Sequence, residues 1–420
     1  MKEINEHTPI RTIDNLFLFD EDKEIKLSLK KTHEYQPVEL ITITHFLLTH
    51  LQTRNNLTLH TNLSDEDANQ IQKHFYDYYI LVCCVLFKRN LVIKNLKGRI
   101  LYTGDFYEKF ISKLKSQEEL YARDLSSNHI KEIKSRIFSP SNKSKNEEGL
   151  SFLIPCFDHL ESSGLARSNY FYNSIKSKGP RDIAVWFERL FTFNDLKISL
   201  PHIFYDLSIV INELMQNTHD WARTTYDNEN YISPNIRACS VNVFLENRLA
   251  TDNSYDHIHE YLKFIYESKK EDIYSPERQI KLEFTNEKVG ICEISILDTG
   301  PGMARRWLQK DYNEIEKDEE RLAVVECFNK YFTSDNTSRT QLRGRGLSNV
   351  IGIIGFSGLI RVRTGHTLLL RNFFRDKVKH QELQKGSIDF KLAEEGLPLI
   401  SGTTISILYP FVYTSNVADE

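Results

Sequence analysis

Three short segments in the second half of the chain combine residue types that could bind and cleave a nucleotide. The first contains Glu213 and Asn217, a carboxylate and an amide within a segment of helical periodicity. Residues four apart share one face of a helix, and Asp220 lies close to that face. The amide oxygen could bind Mg²⁺ while the carboxylate activates a water molecule. A solvated polar stripe on an amphipathic helix would show the same spacing, so this segment alone decides nothing.

The second segment is an apolar strand that ends in Asp298 and turns at once through Gly300, Pro301 and Gly302, before Met303. A carboxylate at a strand end can accept a hydrogen bond from the exocyclic N6 amine of adenine. It rejects guanine, because the equivalent edge of guanine carries a carbonyl. The glycines let the backbone approach a base closely. An ordinary turn between two strands would contain the same residues.

The third segment places Gly344 and Gly346 directly before an apolar helix that begins near Leu347. Free N–H groups and the helix dipole favour an anion at such an N-terminus, and Arg343 and Arg345 add positive charge. These are the features that a triphosphate requires. A pair of glycines before a helix is weak evidence by itself, and the P-loop pattern Gly-x-x-x-x-Gly-Lys-Ser/Thr is absent from the sequence.

In order and spacing, the three segments resemble those of the GHKL ATPases, the superfamily of gyrase, the heat-shock-90 chaperones, histidine kinases and MutL. Glu213 and Asn217 match the N box of that family. Residues 298–302 match its first glycine box, residues 344–347 match its second, and residues 402–404 match its final Gly-Thr element. The resemblance covers residues 185–412. It implies a Bergerat fold, an α+β sandwich with a mixed, largely antiparallel sheet and helices on one face.

The resemblance also implies roles for individual residues, with ATP and Mg²⁺ as cofactors. Asn217 would hold Mg²⁺, and Glu213 would be the base that activates water for hydrolysis. Asp298 would read adenine, with Thr403 supporting it through a water molecule. The other residues implied to bind the nucleotide are Asp220, Gly300, Gly302, Met303, Arg343, Gly344, Arg345, Gly346 and Leu347.

Departures from the family pattern leave three functions open. No convincing phosphoacceptor helix precedes the matched region, and we expect no transducer domain of the gyrase and MutL type. The first hypothesis is a slow Mg²⁺-dependent ATPase that acts as a conformational switch for a protein partner or in a homodimer. The second is a histidine-kinase-like or anti-sigma-type protein kinase. The third is a nucleotide-sensing interaction module that does not hydrolyse ATP.

The overall composition indicates a soluble cytoplasmic protein of two or three domains. The chain has 420 residues and a formal net charge of −4, which argues against broad coating of nucleic acid but leaves local basic patches possible. Its charged N-terminus does not resemble a signal peptide, and the longest apolar run, 78–87, is too short to span a bilayer. Six scattered cysteines without a Cys-x-x-Cys pair indicate reduced thiols.

Composition and the extent of the resemblance divide the chain into an N-terminal module of unknown role at 1–138, a linker with connecting helices at 139–184, the implied ATP-binding domain at 185–412 and a tail at 413–420. The module has a helical pattern at 38–51 and a strand pattern at 56–60, so we expect it to be α/β or mainly helical. His45 and His50 on that helix are expected to be ordinary histidines rather than ligands.

The elements of the ATP-binding domain follow from the same patterns. Two insertions are expected, at 246–278 and 367–399. The second is rich in Arg and Lys and is expected to be a solvated hairpin or helix, with a partner or nucleic-acid surface as the alternative. The helices are predicted at 182–193, 202–223, 255–268, 318–331 and 347–354, and the strands at 238–245, 280–284, 291–297, 358–363 and 403–408.

Overall fold

In a computed structural model, the chain forms two main β-sheets with helices packed between and against them. This confirms the α+β class that the sequence predicts. The residues that the structure describes are 2–5, 8–16, 23–30, 35–53, 57–66, 79–88, 91–101, 107–108, 112, 150–159, 172–173, 176–177, 184, 196–198, 202–245, 257–268, 273, 287–329, 346–376 and 389–415.

The N-terminal module is α/β. Its four strands pair in parallel and in chain order, and a helix lies between each strand and the next along the chain. Parallel neighbours require such crossovers, which explains the alternation. Its strands are β1 (Lys2–Ile4), β2 (Glu24–Leu27), β3 (Thr58–Thr61) and β4 (Val92–Lys94), and its helices are α1 (Ile10–Asp14), α2 (Glu39–Thr53) and α3 (Tyr79–Phe87).

The second sheet has eight strands, and every pairing described in it is antiparallel rather than mixed. Its strands are β5 (Leu150–Cys156), β8 (Leu196–Ile198), β9 (Arg237–Leu245), β10 (Lys288–Asp298), β11 (Leu359–Gly365), β12 (Thr367–Asn372), β13 (Lys391–Glu394) and β14 (Ile400–Ser415). They follow the order β13-β12-β11-β14-β10-β9-β5, and β8 pairs with the far end of β14. A separate hairpin consists of β6 (Tyr172–Asn173) and β7 (Lys176–Ser177).

Five further α-helices follow β8 among the described residues. They are α4 (His202–Trp221), α5 (His257–Glu267), α6 (Met303–Leu308), α7 (Lys317–Glu326) and α8 (Gly346–Ile354). On α4, the buried residues Leu207, Val210 and Leu214 recur at helical spacing and pack towards β9 and β10. This apolar stripe fixes which side of α4 faces away from the sheet core, and therefore where its polar residues lie.

Both faces of the eight-stranded sheet are covered around β10, whereas the sequence predicts helices on one face only. Successive side chains of a strand point to opposite faces. Ile296 lines the face near α4, and Glu293 lies on the other face, where it accepts a hydrogen bond from the Val38 backbone at 3.1 Å. Val38 immediately precedes α2, so the N-terminal module supplies the second layer.

The second expected insertion, at 367–399, is not solvated in its first part. Thr367–Asn372 forms strand β12, and the three leucines of this strand are buried. Arg371, one of the basic residues of this segment, is buried and donates to the backbone carbonyls of Asp376 and Asp389. Arg375 is exposed and pairs with Glu260 at 3.0 Å.

One boundary also differs from expectation, whereas the helix predicted at 255–268 is confirmed as α5. Strand β5 lies inside the predicted linker and pairs with β9, so the sheet begins near Leu150 rather than at 185. Helix α5 lies inside the predicted insertion at 246–278, but Tyr261 is buried and donates to the carbonyls of Ser357 and Leu408. Strand pairing and helix docking of this kind depend on distant residues, which local periodicity does not register.

Several predicted elements lie wholly or mostly outside the described residues. These are the helix at 182–193, the strand at 280–284 and the first part of the linker, at 139–149. Within the residues that are described, no helix is both long enough and apolar enough to cross a membrane.

Candidate functional site

The predicted site residues meet at one end of the eight-stranded sheet. Thr403 on β14 lies opposite Asp298 on β10 and opposite Thr364 on β11, so the three residues form a row across adjacent strands. This row borders a cavity of about 420 Å³. The predicted residues that line the cavity are Glu213, Asn217, Asp220, Asp298, Gly302, Met303, Gly346, Leu347 and Thr403.

Asp298 is held from behind by the backbone. Its Oδ1 accepts the Gly300 N–H at 2.9 Å, and the backbone of Thr403 also hydrogen-bonds to the carboxylate. Burial raises the pKa of Asp298 to about 7, and these two contacts and the charge of Arg237 oppose that shift only in part. The carboxyl group therefore titrates near neutral pH, and its cavity side is available to a ligand that donates hydrogen bonds.

The turn after Asp298 depends on Gly302. Its φ is +88°, and a side chain there would collide with the hydroxyl group of Tyr312. The next residue, Met303, donates its N–H to Thr364 Oγ1 at 3.1 Å, and that oxygen lies 3.2 Å from Thr403 Oγ1. The turn and the row of strand ends are thus one hydrogen-bonded unit.

Glu213 and Asn217 project from α4 towards the first residue of α8. A Cβ atom on Gly346 would lie 2.7 Å from Glu213 Oε2 and 3.7 Å from Asn217 Nδ2, so a side chain there would displace the Glu213 carboxylate. Burial raises the pKa of Glu213, and a hydrogen bond with Asn349 opposes the shift. The N-terminus of α8, with its free N–H groups, consequently lies beside the carboxylate and the amide.

Asp220 lines the same cavity but is tied to its own helix, because its Oδ1 accepts a hydrogen bond from Gln216 Nε2 at 3.0 Å. Among the described residues, no group of three or more His, Cys, Asp or Glu side chains could hold a metal ion. A Mg²⁺ ion beside Asn217 would therefore need oxygen ligands from a bound substrate and from water. This is the usual coordination of Mg²⁺ at phosphate sites.

The residues that line the cavity without having been predicted as site residues include Trp221, Arg306, Trp307 and Cys327. Arg306 is buried, donates to the Thr225 carbonyl at 2.7 Å, and lies 5.4 Å from the centre of the Trp221 ring. Their position in the sequence, next to predicted site residues, could have identified them. Trp221 directly follows Asp220, and Arg306 and Trp307 lie on the short helix that begins after Gly302.

Part of the third predicted segment is not placed. Arg343, Gly344 and Arg345 lie outside the described residues, whereas Gly346 and Leu347 begin α8 at the edge of the cavity. Comparison of the chain with protein-family models, curated proteins and solved structures found no match. The site is therefore interpreted from its own geometry and chemistry.

Proposed function

We propose that the chain binds ATP with Mg²⁺ in this cavity and hydrolyses the ATP slowly, as a GHKL-type ATPase with a Bergerat-fold domain. The observation that carries the proposal is the convergence of segments distant in sequence. The column of Glu213 and Asn217, the strand end at Asp298 and the glycine start of α8 all border one cavity of about 420 Å³. That volume is typical of cavities that bind small ligands.

Asp298 provides the adenine end of the proposed site. Its backbone contacts leave the cavity side of the carboxylate to accept from an exocyclic amine. A carbonyl at the same position of the base, as in guanine, would face the carboxylate with two acceptors and no proton between them. The prediction is a preference for adenine over guanine.

Asn217 and Glu213 provide the phosphate end. Asn217 would hold Mg²⁺ through its amide oxygen, and the N-terminus of α8 would face the phosphates. Glu213 would orient the attacking water and accept its proton. Because burial raises the pKa of Glu213 towards the physiological range, the carboxylate would be a better base than an exposed glutamate.

One observation favours the non-hydrolysing alternative as the second candidate. The hydrogen bond between Asn349 and Glu213 takes up part of the acceptor capacity of the carboxylate that would activate water. If that contact persists with nucleotide bound, the protein would sense ATP without cleaving it. The output in either case would be a conformational change passed to a protein partner or a second copy of the chain. The six free cysteines fit a reducing compartment such as the cytoplasm.

The test uses Glu213→Gln and Asn217→Ala, with Glu267→Gln as the matched control because Glu267 is exposed on α5. Labelled ATP is followed as free phosphate, phosphoprotein and bound nucleotide. We expect Glu213→Gln to keep ATP binding and to lose about 10²–10⁴-fold in turnover, the usual contribution of a general base. Asn217→Ala should lose Mg²⁺-dependent binding, and the control should match the wild type.

Each readout decides between the hypotheses. Phosphate release that is unchanged in Glu213→Gln would remove the hydrolytic role of Glu213. Stable phosphoprotein would favour the kinase hypothesis, and bound ATP without turnover in the wild type would favour the sensing module. Absence of ATP binding by the wild type would reject the proposed function.

A further inference from the structure

Helix α2 of the N-terminal module carries a polar stripe that reaches the backbone under the candidate site. His45, Thr49 and Gln52 are spaced by four and three residues, so they share one face of this buried helix. His45 and Thr49 make hydrogen bonds at the start of β14, and Gln52 makes one to the residue that follows β10. These contacts lie on the face of the sheet opposite the cavity.

His45 and Thr49 hold the start of β14. The His45 Nε2 atom lies 2.7 Å from the Ser401 carbonyl, and Nδ1 lies 2.6 Å from Thr404 Oγ1. Burial lowers the pKa of His45 to about 3, so the ring is neutral, and it donates to the carbonyl and accepts from the hydroxyl. Thr49 Oγ1 accepts the Ser401 N–H at 3.2 Å. This confirms that His45 is a satisfied core histidine.

Gln52 contacts the turn that follows Asp298. Its Nε2 donates to the Thr299 carbonyl at 3.2 Å, while the Gly300 N–H donates to Asp298 Oδ1 at 2.9 Å. The Thr299 carbonyl and the Gly300 N–H belong to the same peptide group and point in opposite directions. Gln52 and Asp298 therefore hold the two ends of one peptide plane.

The rest of this turn is anchored independently. The Thr299 N–H donates to the Ile236 carbonyl at 3.1 Å, and the Ile236 N–H donates to Thr299 Oγ1 at 3.0 Å. Neither contact involves the Thr299 carbonyl, so among the described residues the plane between Thr299 and Gly300 is held by Asp298 at its N–H end and by Gln52 at its carbonyl end. Gln52 Oε1 is buried without a hydrogen-bond partner within the described part of the chain, which is unfavourable. An apolar side chain would avoid that cost, and the donor is the part of the amide that makes a contact in the structure.

We propose that Gln52 is a positioning residue of the nucleotide site, which orients the Thr299–Gly300 peptide so that the Gly300 N–H aims the Asp298 carboxylate at the 6-amine of adenine. The N-terminal module is then part of the ATP site rather than a separate attachment. This inference rests on the proposed function where it concerns ATP affinity. The orientation of the Thr299–Gly300 peptide by Gln52 can be tested without ATP.

The first experiment compares Gln52→Met with the wild type by calorimetry, using ATP and purine riboside triphosphate, which lacks the 6-amine. Gln52→Met keeps the length of the side chain and removes the donor. We expect ATP affinity to fall about two- to tenfold, the usual effect of one hydrogen bond. Affinity for the analogue should be unchanged, because the analogue has no amine for Asp298 to read. An equal loss for both ligands, or no loss for either, would overturn the proposal.

The matched control is Thr44→Val on the same helix. The Thr44 hydroxyl is buried and donates to the Leu40 carbonyl of α2 itself at 2.8 Å. Its removal alters the packing of α2 without touching the strand ends, so both affinities should equal those of the wild type. If Gln52→Met fails to fold, Gln52→Leu provides the same loss of donor.

The second experiment needs no nucleotide. Amide hydrogen exchange of Gly300 should be several-fold faster in Gln52→Met, while that of Thr299 should not change because its N–H donates to the carbonyl of Ile236, the residue before β9. Unchanged exchange at Gly300 would overturn the proposal even if the wild type binds ATP normally. If the wild type does not bind ATP, the proposed function fails, and this exchange measurement still decides the role of Gln52.

Discussion

Two buried carboxylates on β10, Glu293 and Asp298, differ in what completes their hydrogen bonding. Burial raises the pKa of both. Glu293 is surrounded by protein donors, the Ser295 hydroxyl at 2.6 Å, the Val38 N–H at 3.1 Å and the Asn242 amide at 3.3 Å. These donors come from the sheet and from the residue that precedes α2. Glu293 therefore has its partners inside the fold.

Asp298, on the opposite face of the strand, has hydrogen bonds only from the backbone of Gly300 and Thr403 among the described residues, and it borders the cavity. The same residue chemistry thus serves two purposes on one strand. A carboxylate that the protein satisfies completely joins two layers of the fold. A carboxylate that the protein satisfies on one side only is prepared to accept hydrogen bonds from a ligand.

The largest effect predicted by this comparison is on stability. Glu293→Ala would leave the Val38 N–H and the Asn242 amide buried without their acceptor, so the free energy of unfolding should fall by about 2–4 kcal/mol. The remaining folded protein should keep its preference for ATP over GTP, because the cavity side of the sheet is untouched. Chemical denaturation and calorimetry measure the two effects. A variant as stable as the wild type would show that Glu293 does not join the layers.

A smaller effect is predicted for Asp298→Asn, and it depends on pH. The folded-state pKa of Asp298, about 7, lies above its ordinary value of 3.8. The folded protein therefore binds this proton more tightly, which stabilises the fold below about pH 4, and this contribution is lost as pH rises through about 7. Asn does not titrate and can still accept from the Gly300 N–H. The variant should gain about 1–3 kcal/mol over the wild type between about pH 5 and pH 8.

Denaturation of both proteins across this pH range measures the difference. A constant difference would mean that Asp298 is not forced to ionise in a buried position. If Asp298→Asn instead loses stability relative to the wild type as pH rises, that result would contradict the assignment of the raised pKa to burial.

Local patterns predicted the parts of the site that local sequence determines. The helical spacing of Glu213 and Asn217 and the strand ending at Asp298 are both present at the cavity. Each depends on the residues next to it, which is why periodicity and turn composition were sufficient. The glycine at 346 was also visible, although the reason for it, the approach of Glu213, required the structure.

What the sequence did not predict depends on contacts between distant segments. The polar stripe of α2 includes Gln52, whose partner Thr299 is far along the chain, so spacing alone could not reveal a second layer on the sheet. Strand β12 was obscured because charged residues near three leucines suggested solvent exposure. The position of β5 follows from its pairing with β9, and its own sequence does not show that partner.

The central claim is that Asp298 reads adenine in the cavity. Calorimetric titration of the wild type and of Asp298→Asn with ATP and with GTP, in the presence of Mg²⁺, tests it most directly. We predict that the wild type binds ATP more tightly than GTP by about 1–3 kcal/mol, or roughly five- to 150-fold, and that Asp298→Asn loses most of this preference. Equal affinity of the wild type for ATP and GTP would contradict the claim.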